Sequence, residues 1–289
     1  MTQFVPWNSQ PLNKWAEAYA EGKFIDLAGH RTHYLEAGSG EPVILIHGFN
    51  MDNQTWTKNF EQLAAHFKVF APDLWGLGYS TRQPLDYGYE LFVEQIRLFM
   101  EALDIQKASL VGHSMGAGTA ILFSLKHSDK VDKLVLLGST GIPAKLPARS
   151  RAFKLKGVAE LLTSLPTDRI RRSNLRDYWI HDGESLTHEY YQKFVHCQKI
   201  EGSTEALLTI LRKDFFHTLE YEIQELGQLD IPTLIVWGRE DKTIPLSSAK
   251  KIHHLIPGSR LEILDDAGHL ANFDRPKDFN ELVIAFLLE

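Results

Sequence analysis

The sequence of 289 residues lacks the features that mark several classes of protein. It has a single cysteine, Cys197, so no disulfide can form within the chain. Its 37 acidic residues outnumber its 31 basic ones, and the net charge of −6 argues against nucleic acid as the main partner. No apolar run approaches the roughly 20 residues that cross a bilayer, and the N-terminus shows no signal-peptide pattern. These absences predict a soluble, cytoplasmic protein without a transmembrane segment.

Short apolar runs alternate with stretches of helical period over most of the chain. A hairpin is predicted over residues 23–38. Runs typical of strands buried on both faces follow at 42–48, 68–73, 108–113, 131–139, 233–238 and 260–266. Helices are expected at about 55–66, 91–103 and 115–128. Such alternation predicts an α/β protein with a parallel sheet covered by helices.

The alternation stops between residues 142 and 222. This interval has a helical pattern, many charges and many aromatic residues, but no convincing buried strand. We therefore expect a helical cap at 142–222, inserted into a core formed by residues 1–141 and 223–289. Nine basic and only two acidic side chains lie between residues 145 and 176. They form either a solvated helix face or a surface that attracts anionic substrates or membranes.

The segment LVGHSMGAG, residues 110–118, follows a strand-like run and precedes a helix-like one. It contains the pattern G-x-S-x-G, with Gly112, Ser114 and Gly116. In a nucleophile elbow the serine adopts a strained backbone conformation, and its neighbours must be small because the turn brings backbones together. The turn also directs the N-terminus of the next helix at the serine, where N–H groups stabilise an anion. The glycines around Ser114 thus predict a strained turn that lifts a reactive hydroxyl above the sheet.

A serine nucleophile needs a base, and the base needs an acidic partner. His269 is the candidate base, because its loop directly follows the last strand-like run. Asp241 follows the preceding strand-like run and is the candidate partner. Asp73 leaves an earlier strand and is interpreted as structural. His113 is adjacent to Ser114 and is expected to point elsewhere.

Two backbone N–H groups could bind the negative oxygen of a tetrahedral intermediate. The turn at His47–Gly48 would present the N–H of Phe49, and the N–H of Met115 would complete this oxyanion hole. The substrate pocket is expected under the cap and beside the triad. Its candidate residues are Trp75, Trp179, Tyr190 and Leu270.

The motifs HGF, DLWGLGYS, GHSMG, GRED and GHLANFDRP, with Ser114, Asp241 and His269 in this order, resemble the α/β-hydrolase superfamily from about residue 23 to 288. The resemblance implies a mostly parallel eight-stranded sheet with flanking helices and an inserted helical cap. It implies Ser114 as nucleophile, His269 as base and then acid, and Asp241 as its partner. It also implies an acyl-enzyme, water as acyl acceptor, and neither a metal nor a cofactor.

Departures from related patterns favour one activity within the superfamily. Similar epoxide hydrolases and dehalogenases carry aspartate in place of Ser114, which argues against an alkyl-enzyme. Hydrolases of ring-cleavage products usually have a Gly/Pro-rich oxyanion loop and a tryptophan after the catalytic histidine, where this chain has HGFNMD and Leu270. The sequence predicts a carboxylesterase acting on small to medium apolar esters. The alternatives are a carbon–carbon bond hydrolase and a ligand-binding protein or receptor with slow hydrolysis.

Overall fold

The computed structural model describes residues 5–143, 155, 157–164, 168–213, 215–216 and 218–289. Its strands are β1 (Lys23–Leu27), β2 (His30–Ala37), β3 (Pro42–Ile46), β4 (Lys68–Pro72), β5 (Ala108–His113), β6 (Val131–Leu137), β7 (Thr233–Gly238) and β8 (Arg260–Leu264). They form one sheet in the order β1-β2-β4-β3-β5-β6-β7-β8. Strands β1 and β2 pair antiparallel, as do β2 and β4, and the other pairs are parallel. The mostly parallel eight-stranded sheet expected from the sequence is confirmed.

Helices cover both faces of this sheet. They are α1 (Leu12–Tyr19), α2 (Phe60–Ala64), α3 (Tyr89–Ala102), α4 (Met115–Lys126), α5 (Val158–Ser164), α6 (Asp168–Asn174), α7 (His188–Val195), α8 (Ser203–Lys213), α9 (Glu220–Leu226), α10 (Leu246–Leu255), α11 (Ala271–Asp274) and α12 (Pro276–Leu288). Alternate residues of β3 enter different cores: Ile44 and Ile46 pack with α3 and α4, whereas Val43 and Leu45 pack with α2 and α12. Burial on both faces explains the uninterrupted apolar runs. No helix among the described residues is long and apolar enough to cross a membrane.

The helix expected at about 55–66 is split into a 3₁₀ turn at Asn53–Trp56 and the short α2. Asn59 separates the two, and its amide donates to Asn280 Oδ1 at 2.8 Å and to the carbonyl of Asn272 at 3.1 Å. These tertiary hydrogen bonds to the C-terminal helices offer the chain an alternative to a continuous helix. A local pattern cannot reveal them.

The described residues between β6 and β7 form helices α5 to α9 and a π-helical turn at Leu175–Trp179, with no strand. Helix α9 packs on α4 through Ile223 and Leu226, which belong to the main core. The division at residue 222 falls inside this helix, and the cap boundaries stay a prediction. The expectation for the basic segment 145–176 rests partly on Lys145, Arg149, Arg151, Lys154 and Lys156, which lie outside the described residues.

Candidate active site

Ser114 lies in the sharp turn between β5 and α4, with φ 53° and ψ −116°. Residues that carry a side chain rarely adopt this backbone conformation, so the expected strain is present. A Cβ at position 112 would lie 2.5 Å from the Cα of Ala117, and one at Gly116 would lie 2.5 Å from the carbonyl oxygen of His47. Both obstacles are backbone atoms, which cannot rotate away. The elbow therefore requires glycine at both positions.

Asp241 and His269 come together at the carboxyl edge of the sheet. The Nδ1 of His269 lies 2.8 Å from Asp241 Oδ2, and both side chains are buried. The other carboxylate oxygen accepts the N–H groups of Thr243 and Ile244 at 2.8 Å each. Gly138, after β6, lies under the imidazole, where a Cβ would be 3.2 Å from His269 Nδ1. With its Nδ1–H donated to Asp241, the histidine has Nε2 available to accept a proton.

Sequence reasoning assigned no role to His113, yet its ring lies against His269 with the centroids 4.8 Å apart. Its Nε2–H donates to the backbone carbonyl of His269 at 3.1 Å. Burial, followed by the proximity of His269, holds the pKa of His113 well below its usual range. A neutral His113 adds no charge beside the candidate base. Its hydrogen bond to the His269 carbonyl ties the loop that carries the base to the elbow.

The loop after β3 reaches Ser114 at Gly48. A Cβ there would lie 2.8 Å from His113 Nδ1 and 3.2 Å from Ser114 Cβ, so only glycine fits. His47 fixes this turn, since its Nε2 accepts the N–H of Leu74 at 2.9 Å and its Nδ1 lies 2.9 Å from the Gly48 carbonyl. Burial lowers the pKa of His47, in keeping with this neutral form. The next N–H along the chain, that of Phe49, is the one expected in the oxyanion hole.

The predicted pocket residues occupy different surroundings. The indole of Trp179 stands edge-on to the imidazole of His269, with centroids 6.1 Å apart, and its carbonyl accepts the N–H of Leu270 at 2.8 Å. Leu270 is fully buried in a cluster that includes Phe273, and the ring of Tyr190 meets Phe273 edge-on at 5.0 Å. The structure thus brings Trp179 and Leu270 next to the candidate base and places Tyr190 one side chain further away.

Trp75 lies apart from this group. Its indole N–H donates to Thr32 Oγ1 at 2.8 Å, and its ring meets His30 at 4.8 Å, so the side chain faces strand β2. Asp73 is buried and lies 2.7 Å from His33. Burial alone would lower the pKa of His33, but the Asp73 carboxylate raises it. These contacts fit the structural interpretation of Asp73.

A group of aromatic side chains lies beside the elbow, and one of them, Tyr89, was not singled out from the sequence. The rings of Phe49 and Phe216 lie 5.3 Å apart, and those of Tyr89 and Phe215 lie 4.4 Å apart. The hydroxyl of Tyr89 lies 2.8 Å from Thr140 Oγ1, which donates to the carbonyl of Ser114 at 3.1 Å. Other hydrogen bonds hold the same backbone, including the Ser114 N–H donated to Leu137 at 2.9 Å. No local motif marks such residues, because they come from four separate segments.

A mostly parallel sheet with a strained serine after β5 and an aspartate–histidine pair at its carboxyl edge is the arrangement of an α/β hydrolase. A family model described as the alpha/beta hydrolase fold matches residues 41–181 and 213–276. The chain therefore belongs to the α/β-hydrolase fold family.

The chain is similar to hydrolases named for ring-cleavage products. It is 30% identical to the 2-hydroxy-6-oxo-6-(2'-aminophenyl)hexa-2,4-dienoic acid hydrolase of Metapseudomonas resinovorans, over 96% of this chain and 94% of that protein. It is 28% identical to the 2-hydroxy-6-oxo-6-phenylhexa-2,4-dienoate hydrolase of Comamonas testosteroni, over 99% of both chains. A meta-cleavage product hydrolase of Pseudomonas fluorescens IP01, CumD, shares 30% identity and a TM-score of 0.80, covering 92% of this chain and 97% of that one.

Proposed function

We propose that this protein hydrolyses the carbon–carbon bond beside the 6-oxo group of a 2-hydroxy-6-oxohexa-2,4-dienoate. The observation that carries the proposal is the similarity to such hydrolases over almost the whole chain, including the cap interval. The carboxylesterase predicted from the sequence becomes the second candidate. A solved thermophilic esterase of Thermogutta terrifontis has a TM-score of 0.78 at 24% identity, a likeness that shows the fold alone.

In the proposed reaction Ser114 is the nucleophile, His269 the base and Asp241 its partner. The Ser114 oxygen bonds to the carbonyl carbon C6 while its proton passes to His269 Nε2. The N–H groups of Phe49 and Met115 hold the resulting oxyanion. The C5–C6 bond then breaks, and its electron pair stays on the dienoate fragment. Water finally releases the carboxylic acid from Ser114.

The departing carbon is a poor leaving group unless its electron pair is delocalised. Before the C5–C6 bond breaks, the proton of the 2-hydroxyl moves to C5, which leaves a 2-oxo group conjugated with the C3–C4 double bond. The electron pair of the C5–C6 bond then flows through C4 and C3 to the C2 oxygen, which takes the proton held by His269. The triad geometry is common to ester and carbon–carbon hydrolysis. The surroundings of the dienoate therefore decide between the two reactions.

An aromatic neighbour of the base supports the proposal despite Leu270. Hydrolases of ring-cleavage products usually have a tryptophan directly after the catalytic histidine, and this chain does not. Trp179 brings an indole from the cap to the imidazole of His269, at a centroid distance of 6.1 Å. Together with the aromatic rings beside the elbow, it offers a flat, apolar surface to a conjugated substrate.

The test compares two substrate classes on one enzyme preparation. We would measure kcat/KM for 2-hydroxy-6-oxo-6-phenylhexa-2,4-dienoate, from the loss of its absorbance, and for p-nitrophenyl esters from acetate to dodecanoate. The proposal expects the dienoate to exceed the best ester by at least about 100-fold, or about 2.7 kcal/mol of transition-state discrimination. Ser114→Ala is the control and should abolish both activities.

The opposite ranking would restore the carboxylesterase as the main function. Negligible turnover of both classes, with micromolar binding that survives Ser114→Ala, would instead identify a ligand-binding protein. Either outcome contradicts the proposal.

A further inference from the structure

A short stretch of the cap, residues 178–181, is hydrogen-bonded to both loops that carry the candidate acid and base. The hydroxyl of Thr243, two residues after Asp241, donates to the carbonyl of Tyr178 at 3.0 Å. The N–H of Leu270, directly after His269, donates to the carbonyl of Trp179 at 2.8 Å. The cap is therefore attached to the triad loops themselves.

Asp274 adds a third attachment. Its Oδ2 accepts the backbone N–H of Gly268 at 2.8 Å and the backbone N–H of His181 at 2.9 Å. One carboxylate oxygen thus joins the residue before His269 to the cap. Burial raises the pKa of the Asp274 carboxyl, whereas the two backbone hydrogen bonds act in the opposite direction. Two donors on one oxygen fix the two backbones relative to each other.

The approach of these backbones leaves little room for a side chain at Gly268. A Cβ there would lie 3.0 Å from the N–H nitrogen of His181 and 3.0 Å from the carbonyl oxygen of Trp179. The cap segment 178–181 lies directly on the loop, so a shift of the cap is passed to the loop without a flexible side chain between them.

His269 is flanked by these attachments on both sides. Gly268 is held through Asp274, and Leu270 is held by Trp179. The 2.8 Å contact between the imidazole and Asp241 depends on where this backbone lies. A misplacement of about 1 Å at a catalytic group can cost about 100-fold in rate.

We propose that Asp274 is a positioning residue, which uses the cap to hold the backbone on which His269 is presented. The proposal rests on the proposed role of His269 as the base. It makes the cap segment 178–181 part of the support of the triad, in addition to covering the substrate.

The test compares Asp274→Ala with Asp274→Asn. An asparagine oxygen at the position of Oδ2 can accept both N–H groups, whereas alanine accepts none. The matched control is Asp278→Ala, because Asp278 is a half-buried carboxylate four residues away that pairs with Arg275 at 2.7 Å. Gly268→Ala is a second variant that keeps the carboxylate and disturbs the close approach of the cap.

The readouts are the rate constant for phosphonylation of Ser114 by diisopropyl fluorophosphate, kcat and KM for the substrate that the wild type turns over, and the melting temperature. We expect Asp274→Ala to lower the phosphonylation constant and kcat by about 10- to 100-fold with KM changed less than about threefold. Asp274→Asn should recover to within about fivefold of the wild type. Gly268→Ala should lower kcat, and Asp278→Ala should change neither rate.

Two results would overturn the proposal. One is an Asp274→Ala variant that melts at a lower temperature yet reacts with the inhibitor within about twofold of the wild type. The other is an asparagine variant as slow as the alanine variant. If Asp274→Ala does not fold, a wild-type rate in Gly268→Ala refutes it as well. Failure of the wild type to react with the inhibitor would instead contradict the proposed triad.

Discussion

Replacing Ser114 by glycine should stabilise the protein relative to replacing it by alanine. Both variants lack the hydroxyl and both should be inactive, so the comparison isolates the Cβ atom. At φ 53° and ψ −116° that Cβ is strained, whereas glycine adopts such a conformation freely. The elbow holds the strained conformation through the hydrogen bonds of the Ser114 backbone to Leu137, Ala117 and Thr140.

The difference in unfolding free energy between the glycine and alanine variants follows from opposing contributions. Strain of this kind costs about 1 to 3 kcal/mol, and its relief favours the glycine variant. Glycine increases the conformational entropy of the unfolded chain, which favours the alanine variant by about 0.5 to 1 kcal/mol. The lost contacts of one methyl group reduce the difference further, but only in part, because the Ser114 side chain is 8% exposed. The net gain is about 1 kcal/mol, or about 2 to 4 °C in melting temperature.

The assay is urea unfolding of both variants, followed by circular dichroism, together with their melting temperatures. Loss of esterase or dienoate activity in both confirms that both variants lack the nucleophile. An alanine variant that is equally or more stable than the glycine variant would refute the claim that the elbow stores backbone strain at this residue.

Two further variants test the elbow and the buried acid Asp52. Gly116→Ala should destabilise the protein by about 2 to 4 kcal/mol and lower activity at least about 100-fold, since its Cβ would meet the backbone of β3. Gly258→Ala is the control for the loss of a glycine, because position 258 has φ 84° and open space around it. This control variant should keep full activity. Burial, followed by repulsion from Asp73, raises the pKa of Asp52 from 3.8 to about 7. The folded chain then holds a proton that the unfolded chain has lost between about pH 4 and 7, so the wild type loses stability as pH rises through that window. Asp52→Asn should be the more stable protein at pH 8 by urea unfolding, with the gap narrowing towards pH 5; a gap independent of pH would contradict the raised pKa.

The parts of the site that could be predicted are those fixed by local backbone geometry. Gly112 and Gly116 meet a steric demand within five residues around Ser114, and the pattern is visible because glycine is the only residue that fits at both positions. Asp241 and His269 could be found because loops at the carboxyl ends of parallel strands meet at one edge. The buried strands were visible for a related reason, since both of their faces enter a core.

The residues that escaped prediction act through contacts between distant segments. His113 was given no role because its partner, the carbonyl of His269, lies 156 residues away along the chain. Asp274 reaches back 93 residues to His181. The split of the predicted helix at Asn59 comes from partners more than 200 residues away. Neither periodicity nor a motif carries information about such pairs.

Substrate choice also depends on contacts between distant segments of the chain. Ester and carbon–carbon hydrolysis use the same elbow, the same histidine and the same acid, so the motifs that identify the family cannot separate the two reactions. In the proposed reaction the aromatic rings that face the substrate come from Phe49 in the core and from Trp179, Phe215 and Phe216 in the interval between β6 and β7. Similarity that spans this interval as well as the core therefore bears on the substrate, whereas the identity of the residue after His269 does not decide it alone. Trp179 brings an indole to the candidate base from a distant segment, and the hydrogen bonds of residues 178–181 hold it there.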